Sequence, residues 1–296
     1  MTSVPARTEV LMGTLVTIQV VRPGAEAAID RAFGWFREIE ARCSRFDERS
    51  ELVGLTARVG EPVPASPALF EAVRFALSVA EETSGAFDPT VGRRMETRGF
   101  NRENRTGRTA STPIPVDDDV NYRDVELDPE RCTITCRRPL LLDLGAVAKG
   151  LAVDVAAREL KPFQDFAIDA GGDLYLGGSN PDGMPWSVGI RHPRNDDELI
   201  DSLRVSDKAV CTSGDYERVM PVPRQHHILD PRTGVSPATV ASVTVVAPTA
   251  LAADALATAA FVLGPADGLA LLERHGVDGL IVTTSLDRIE TSGFHR

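Results

Sequence analysis

The chain has 296 residues, 43% of them hydrophobic, enough for a sizeable core in one large domain or in two lobes. Its formal charge of -11 argues against a nucleic-acid or anionic-membrane surface, so a phosphorylated ligand needs local cations or a metal. No run of about 18 apolar residues marks a membrane span, and the N-terminus lacks a basic stretch leading into an apolar one, so the chain reads as cytoplasmic.

Residues 9–21, EVLMGTLVTIQVV, are rich in β-formers and predict an opening strand. A helix is expected over 25–42, where Ala28, Ala32, Trp35, Phe36 and Ile39 approximate one apolar face. The next helix carries its own punctuation in SPALFEAVRFALSVAEETSG: Ser66 as N-cap, Pro67 in the first helical position and Gly85 as the stop. Residues 97–118 are polar and rich in turn formers, which predicts a long loop. Short strands follow near 122–127, 132–136 and 139–142, then a helix from about 146 to 160. Further strands are expected at 165–169, 173–177, 186–191, 199–205, 208–211, 225–229 and 240–247. Helices near 249–262 and 266–275 and strands near 278–284 and 287–291 complete the chain. Strands outnumber helices without alternating strictly with them, which predicts an α+β fold with a largely antiparallel sheet.

Four cysteines, Cys43, Cys132, Cys136 and Cys211, form no disulfide framework and read as buried thiols. On a strand, Cys132 and Cys136 would share a face about 13 Å apart, too far for a disulfide or for one metal.

The run DLGAVAKGLAVDVA, 143–156, holds one of only three lysines, Lys149. Asp143 follows an apolar strand and Gly145 turns into a helix whose first N–H groups suit an anion, with Lys149 close behind; a surface lysine on an amphipathic helix fits the run as well. In ADALATAAFVLG, Asp254 and Thr258 share a helix face, hard oxygens suited to Mg2+, although an Asp near a helix start and a buried Thr read the same way. SGAFDPTVG offers Phe87 to a flat ring and Asp88 as an acceptor, or is a plain structured loop. The paired glycines of DAGGDLYLGG either admit a ligand or close a tight hairpin. Thr212, Ser213 and Gly214 offer hydroxyls and N–H groups to a phosphate. His226 and His227, read as adjacent residues of a strand, point to opposite faces, so one of them at most serves a site and a dihistidine zinc site is excluded.

In order and wording these motifs, with LMGT, CSRFDERSEL and WSVGIRHP, resemble the ApbE family of flavin transferases from the first strand to about residue 284. The resemblance implies a T-fold-like α+β architecture that binds FAD and Mg2+, passes FMN to a Thr or Ser hydroxyl of a client flavoprotein and releases AMP. It implies flavin or FAD contacts at Met12, Phe46, Ala86, Phe87, Asp88, Asp143 and Lys149, and ligand neighbours at Thr212, Ser213, Gly214 and Ile228. It also implies chemistry at His227 and Mg2+ at the Ala146 carbonyl and the Asp254 and Thr258 side chains. An FAD pyrophosphatase and a non-enzymatic flavin carrier remain open beside it. Two departures stand out: GRRMETRGF at 92–100, with Arg93, Arg94 and Arg98, and Ala257 where some members have a further Asp.

Overall fold

The computed structural model describes residues 6–102, 107, 117, 119–217 and 225–294. The expected opening strand is a hairpin of β1 (Ala6–Leu11) and β2 (Thr14–Val20). Its two-residue turn, Met12 and Gly13, has φ of 50° and 74°. Turns of this left-handed kind match the twist of the strands they join. Apolar residues run straight through the turn, so only Gly13 signals it.

Helices α1 (Glu26–Cys43), α2 (Glu51–Thr56) and α3 (Pro67–Glu82) follow, with the two-residue strand β3 (Val63–Pro64) before α3. Ser66 caps α3 by accepting from the Leu69 N–H, and Pro67 is its first residue, as expected. The short α4 (Gly92–Thr97) leads to the residues expected as a long loop, most of which lie outside those described. β4 (Val125–Asp128) and β5 (Thr133–Cys136) form a small antiparallel sheet with β3.

The large sheet is built from later segments. These are β6 (Phe166–Ala170), β7 (Asp173–Gly177), β10 (Lys208–Gly214), β11 (Val240–Ala247), β12 (Asp278–Thr283) and β13 (Arg288–Glu290). With the first hairpin they give the order β1-β2-β6-β7-β10-β11-β12-β13, every neighbour antiparallel. The remaining hairpin is β8 (Trp186–Arg191) with β9 (Leu199–Val205).

Both faces of the sheet are covered. Helices α5 (Ala148–Leu160) and α6 (Ala250–Leu263) pack on one, with Ala209, Cys211, Val243 and Val245 beneath them. On the other, Trp186, Val188, Leu203 and Val205 of the β8–β9 hairpin meet Leu176, Val210, Val246 and Leu280. This explains why all eight residues of β11, VASVTVVA, are buried: a strand covered on both sides loses the apolar–polar alternation. Helix α7 (Pro265–Arg274) packs against α6 and β12.

Three expectations need correction. Residues 139–142 form no strand; they run in extended connection into the α5 turn, their three leucines buried in the core. Residues 225–229 form no regular strand either: isolated bridges, one at His226 and one from Asp230 to Val235, stand in its place. Cys132 lies outside β5 and is exposed, in the turn before the strand with φ of 50°, so it shares no strand face with the buried Cys136. The other three cysteines are buried, and burial pushes the Cys43 and Cys136 thiols up to about 12 and about 11.

Candidate active site

The α5–α6 pair is locked by backbone proximity and by one carboxylate. A Cβ on Gly150 would come within 2.5 Å of the Ala250 carbonyl oxygen, so only glycine lets the helices approach this closely. Asp154, one turn further along α5, accepts from the Ala250 and Leu251 N–H groups at 2.7 and 2.9 Å. It therefore caps the start of α6 from a neighbouring helix, beside the helix's own cap, Thr249. Burial pushes the Asp154 carboxyl up to about 6.

This clamp sets one wall of a cavity of about 280 Å³. Ala146, Lys149, Asp254 and Thr258 stand on that wall. The β6–β7 turn and the β1–β2 turn contribute Gly171, Asp173 and Met12. Thr212, Ser213 and Gly214 come from the end of β10, Ala86, Phe87 and Asp88 from the loop after α3, and His227 and Ile228 from the segment before β11. The cavity thus gathers every residue to which the resemblance assigns a ligand or metal contact except Phe46. Phe46 lines an adjoining cavity that shares Met12, Gly13, Asp143, Gly145 and Lys149 with the first.

The acidic character of the wall is its main electrostatic feature. Asp88, Asp143, Asp173, Glu217 and Asp254 stand with Lys149 among the described lining residues, and from outside the lining Arg45 pairs with Asp143 and Arg191 with Glu217. Asp88 is 7% exposed and already occupied, accepting from the Thr90 N–H and hydroxyl and from the Tyr122 N–H, so it works as a strut of its loop. Asp143 accepts from the Gly145 N–H at 2.8 Å and from Arg45 Nε at 2.6 Å. The Arg45 guanidinium also stacks on the Phe46 ring, 4.2 Å from its centre. Sequence reading passed over Arg45, whose only signal is its place beside Phe46.

The α5 start offers an anion less than expected. The N–H groups of Gly145, Val147 and Ala148 go to Asp143 and to the Leu144 carbonyl. The positive charge here belongs to the Lys149 side chain, which is hydrogen-bonded to Asp173 and lies 3.7 Å from Asp254. Asp173, 3% exposed, is a second residue the sequence reading missed. Its neighbours Gly171 and Gly172, with φ of 64° and 95°, make the tight β6–β7 hairpin, and Gly171 lines the cavity.

Asp254 is 6% exposed, its carboxyl is raised by burial, and no hydrogen bond reaches its Oδ2. An orphaned buried carboxylate oxygen and a hydroxyl one helical turn on suit a hard divalent cation. Thr258 Oγ1 meanwhile pairs with Ser213 Oγ at 3.0 Å. Among the described residues no three His, Cys, Asp or Glu side chains gather as a metal cage. Ala257 is fully buried in the core and does not line the cavity.

The two histidines part without a strand. His226 is 4% exposed; its Nε2 bonds the Pro237 carbonyl at 3.1 Å, its ring meets Phe261 of α6 edge-on, and burial lowers its pKa. His226 anchors the segment in the core, and the next residue, His227, turns into the cavity.

Residues 12–281 match the ApbE family. The FAD:protein FMN transferase of Vibrio cholerae is 31% identical over 93% of this chain and 86% of that protein. That of Treponema pallidum is 34% identical over 94% of this chain and 84% of that protein. Among solved structures, the ApbE protein from Thermotoga maritima superposes with a TM-score of 0.86 at 30% identity, over 99% of this chain and 98% of that one. The flavin transferase ApbE from Vibrio cholerae gives 0.85 at 27% identity over the same shares.

Proposed function

The chain belongs to the ApbE family, and from that premise we propose that it transfers FMN from FAD to a Thr or Ser hydroxyl of a client flavoprotein and releases AMP. The observation that carries this reading is the make-up of the cavity wall. With Asp143 paired to Arg45 and Glu217 to Arg191, Asp88, Asp173 and Asp254 still face one ammonium, so a pyrophosphate is repelled unless a divalent cation accompanies it, which Asp254, Thr258 and the Ala146 carbonyl would hold. Mg2+ held there would offset pyrophosphate charge and act as a Lewis acid on the phosphoryl oxygen.

The residues of the chain supply binding, orientation and proton transfer. Met12, Phe46 and Phe87 offer apolar surface to the rings of FAD, and Asp143, held by Arg45 and Gly145, offers a fixed acceptor. Lys149 and the Thr212–Ser213–Gly214 strand end face the phosphates. The client hydroxyl oxygen bonds to the phosphorus on the FMN side as the bond from that phosphorus to the bridging oxygen breaks. AMP leaves with the bridging oxygen, and the hydroxyl proton passes to His227.

The test mixes the purified chain with FAD, Mg2+ and a flavin-accepting client domain and separates the products by chromatography. Flavin fixed covalently to the client, with AMP in equal amount, is the expected result. Free FMN and AMP with an unlabelled client would mean that water takes the place of the hydroxyl. FAD returned unchanged would overturn the enzymatic reading.

A further inference from the structure

The contact between Lys149 and two buried carboxylates has an asymmetry that bears on metal binding. The ammonium donates a hydrogen bond to Asp173 Oδ2 but stands 3.7 Å from Asp254 Oδ2, inside ion-pair range and beyond hydrogen-bond range. Asp254 Oδ2 is left without a hydrogen bond. Asp173 is the first residue of β7, fixed by the Gly171–Gly172 turn and 3% exposed, whereas Lys149 hangs on a flexible stem from the start of α5.

We propose that Asp173 is a positioning residue that holds the Lys149 ammonium off Asp254, close enough to offset its charge yet too far to cap its oxygen. Lys149 then stands in for the cation in the metal-free site, and a divalent ion binds in competition with it. Asp173 keeps the displaced ammonium within the cavity, where the pyrophosphate needs it. This inference rests on the metal position read above.

The consequences differ in sign at the two residues. With Lys149→Met the buried Asp254 carboxylate loses its counter-charge, and its attraction for a divalent ion rises. With Asp173→Asn the ammonium is free to close on Asp254 Oδ2, and divalent binding weakens. In Asp173→Asn/Lys149→Met there is no ammonium to release, so the double variant binds like Lys149→Met.

The experiment titrates Mn2+ into the full chain without FAD, reading free Mn2+ by electron paramagnetic resonance for wild type, both single variants and the double variant. Lys149→Met is expected to bind at least about tenfold tighter than wild type, Asp173→Asn several-fold weaker, and the double variant like Lys149→Met. Equal or weaker binding by Lys149→Met overturns the proposal. So does a double variant weaker than Lys149→Met, because Asp173 would then be a ligand in its own right. If none of the four proteins binds Mn2+ while wild type still converts FAD with Mg2+, the positioning role fails and flavin transfer stands. If the expected order appears and FAD is never converted, the positioning role stands and flavin transfer fails.

Discussion

At the scale of single residues the site separates groups that do chemistry from groups that hold them. His227 faces the cavity and is not part of the core, whereas its neighbour His226 is buried and bonded to Pro237. Loss of a general base costs about 100-fold or more in rate. His227→Ala is therefore expected to lower FMN transfer by about that factor without lowering the melting temperature, a pairing that chromatographic product assay and thermal melting check together. His226→Ala should do the reverse, lowering the melting temperature first. Arg45 belongs with the holding groups: its side chain is 9% exposed and its partner Asp143 is 18% exposed. Removing one member of such a pair leaves the other charge buried, at a cost of about 3 kcal/mol. Arg45→Met should lower stability by about that amount in urea titration and weaken FAD binding followed by flavin fluorescence, because Asp143 and Phe46 both lose their support.

At the scale of elements the contact that matters is α5 on α6, since it places Lys149 against Asp254. Gly150→Ala would drive a methyl group to 2.5 Å from the Ala250 carbonyl oxygen, and backbone cannot yield as a side chain can. Overpacking of this kind costs about 2 kcal/mol, and it should weaken divalent binding as well, because it shifts α5 against the helix that carries Asp254 and Thr258. The Asp154 clamp carries a pH signature. Its carboxyl is raised from 3.8 to about 6 in the folded protein, so between those values the folded chain holds more protons than the unfolded one. The stability tied to this group is fully present below about pH 4 and is lost as pH rises through about 6. At roughly 1.4 kcal/mol per pH unit the change is about 3 kcal/mol. Asp154→Asn removes that limb. Its stability relative to wild type, measured by urea titration from pH 4 to 7.5, should rise with pH by about that amount. A flat difference would mean that the carboxyl titrates normally. This helix contact was only half legible in the sequence: α5 and α6 were expected to within two residues of their observed bounds, but nothing in KGLAVD says that Asp154 caps another helix. Long-range hydrogen bonds leave no local pattern, and for the same reason Asp173 and Arg45 went unread. The β1–β2 turn was hidden differently, because Met12 takes a left-handed φ that its residue type rarely adopts. Strain of this sort collects at functional sites, and Met12 lines both cavities.

At the scale of the whole molecule, sheet order decides which distant residues meet. Strand β2 pairs with β6, and β7 with β10, so the β1–β2 turn, the β6–β7 turn and the last residues of β10 surround one cavity. The α+β class and antiparallel sheet were readable from the spacing of strands; this order was not, because strand spacing alone does not specify which strands pair. The assembly is acidic at two ranges. The chain carries a formal charge of -11, and the cavity wall repeats the sign with Asp88, Asp173 and Asp254 against Lys149, Asp143 and Glu217 being paired with Arg45 and Arg191. FAD is itself an anion, so in the absence of a divalent cation both terms oppose binding. The longer-range term is screened by salt: the Debye length falls from about 30 Å at 0.01 M to about 8 Å at 0.15 M. FAD affinity in EDTA is therefore expected to be at least about tenfold weaker than with Mg2+, and to strengthen as sodium chloride is raised over that range. With Mg2+ present the salt dependence should shrink, since the ion has already offset the local charge. Flavin fluorescence titrations at two salt concentrations, each with and without Mg2+, provide the check. Metal-free affinity that falls with salt would mean that cations near the cavity outweigh its carboxylates, and the argument for a metal-borne pyrophosphate would lose its electrostatic basis.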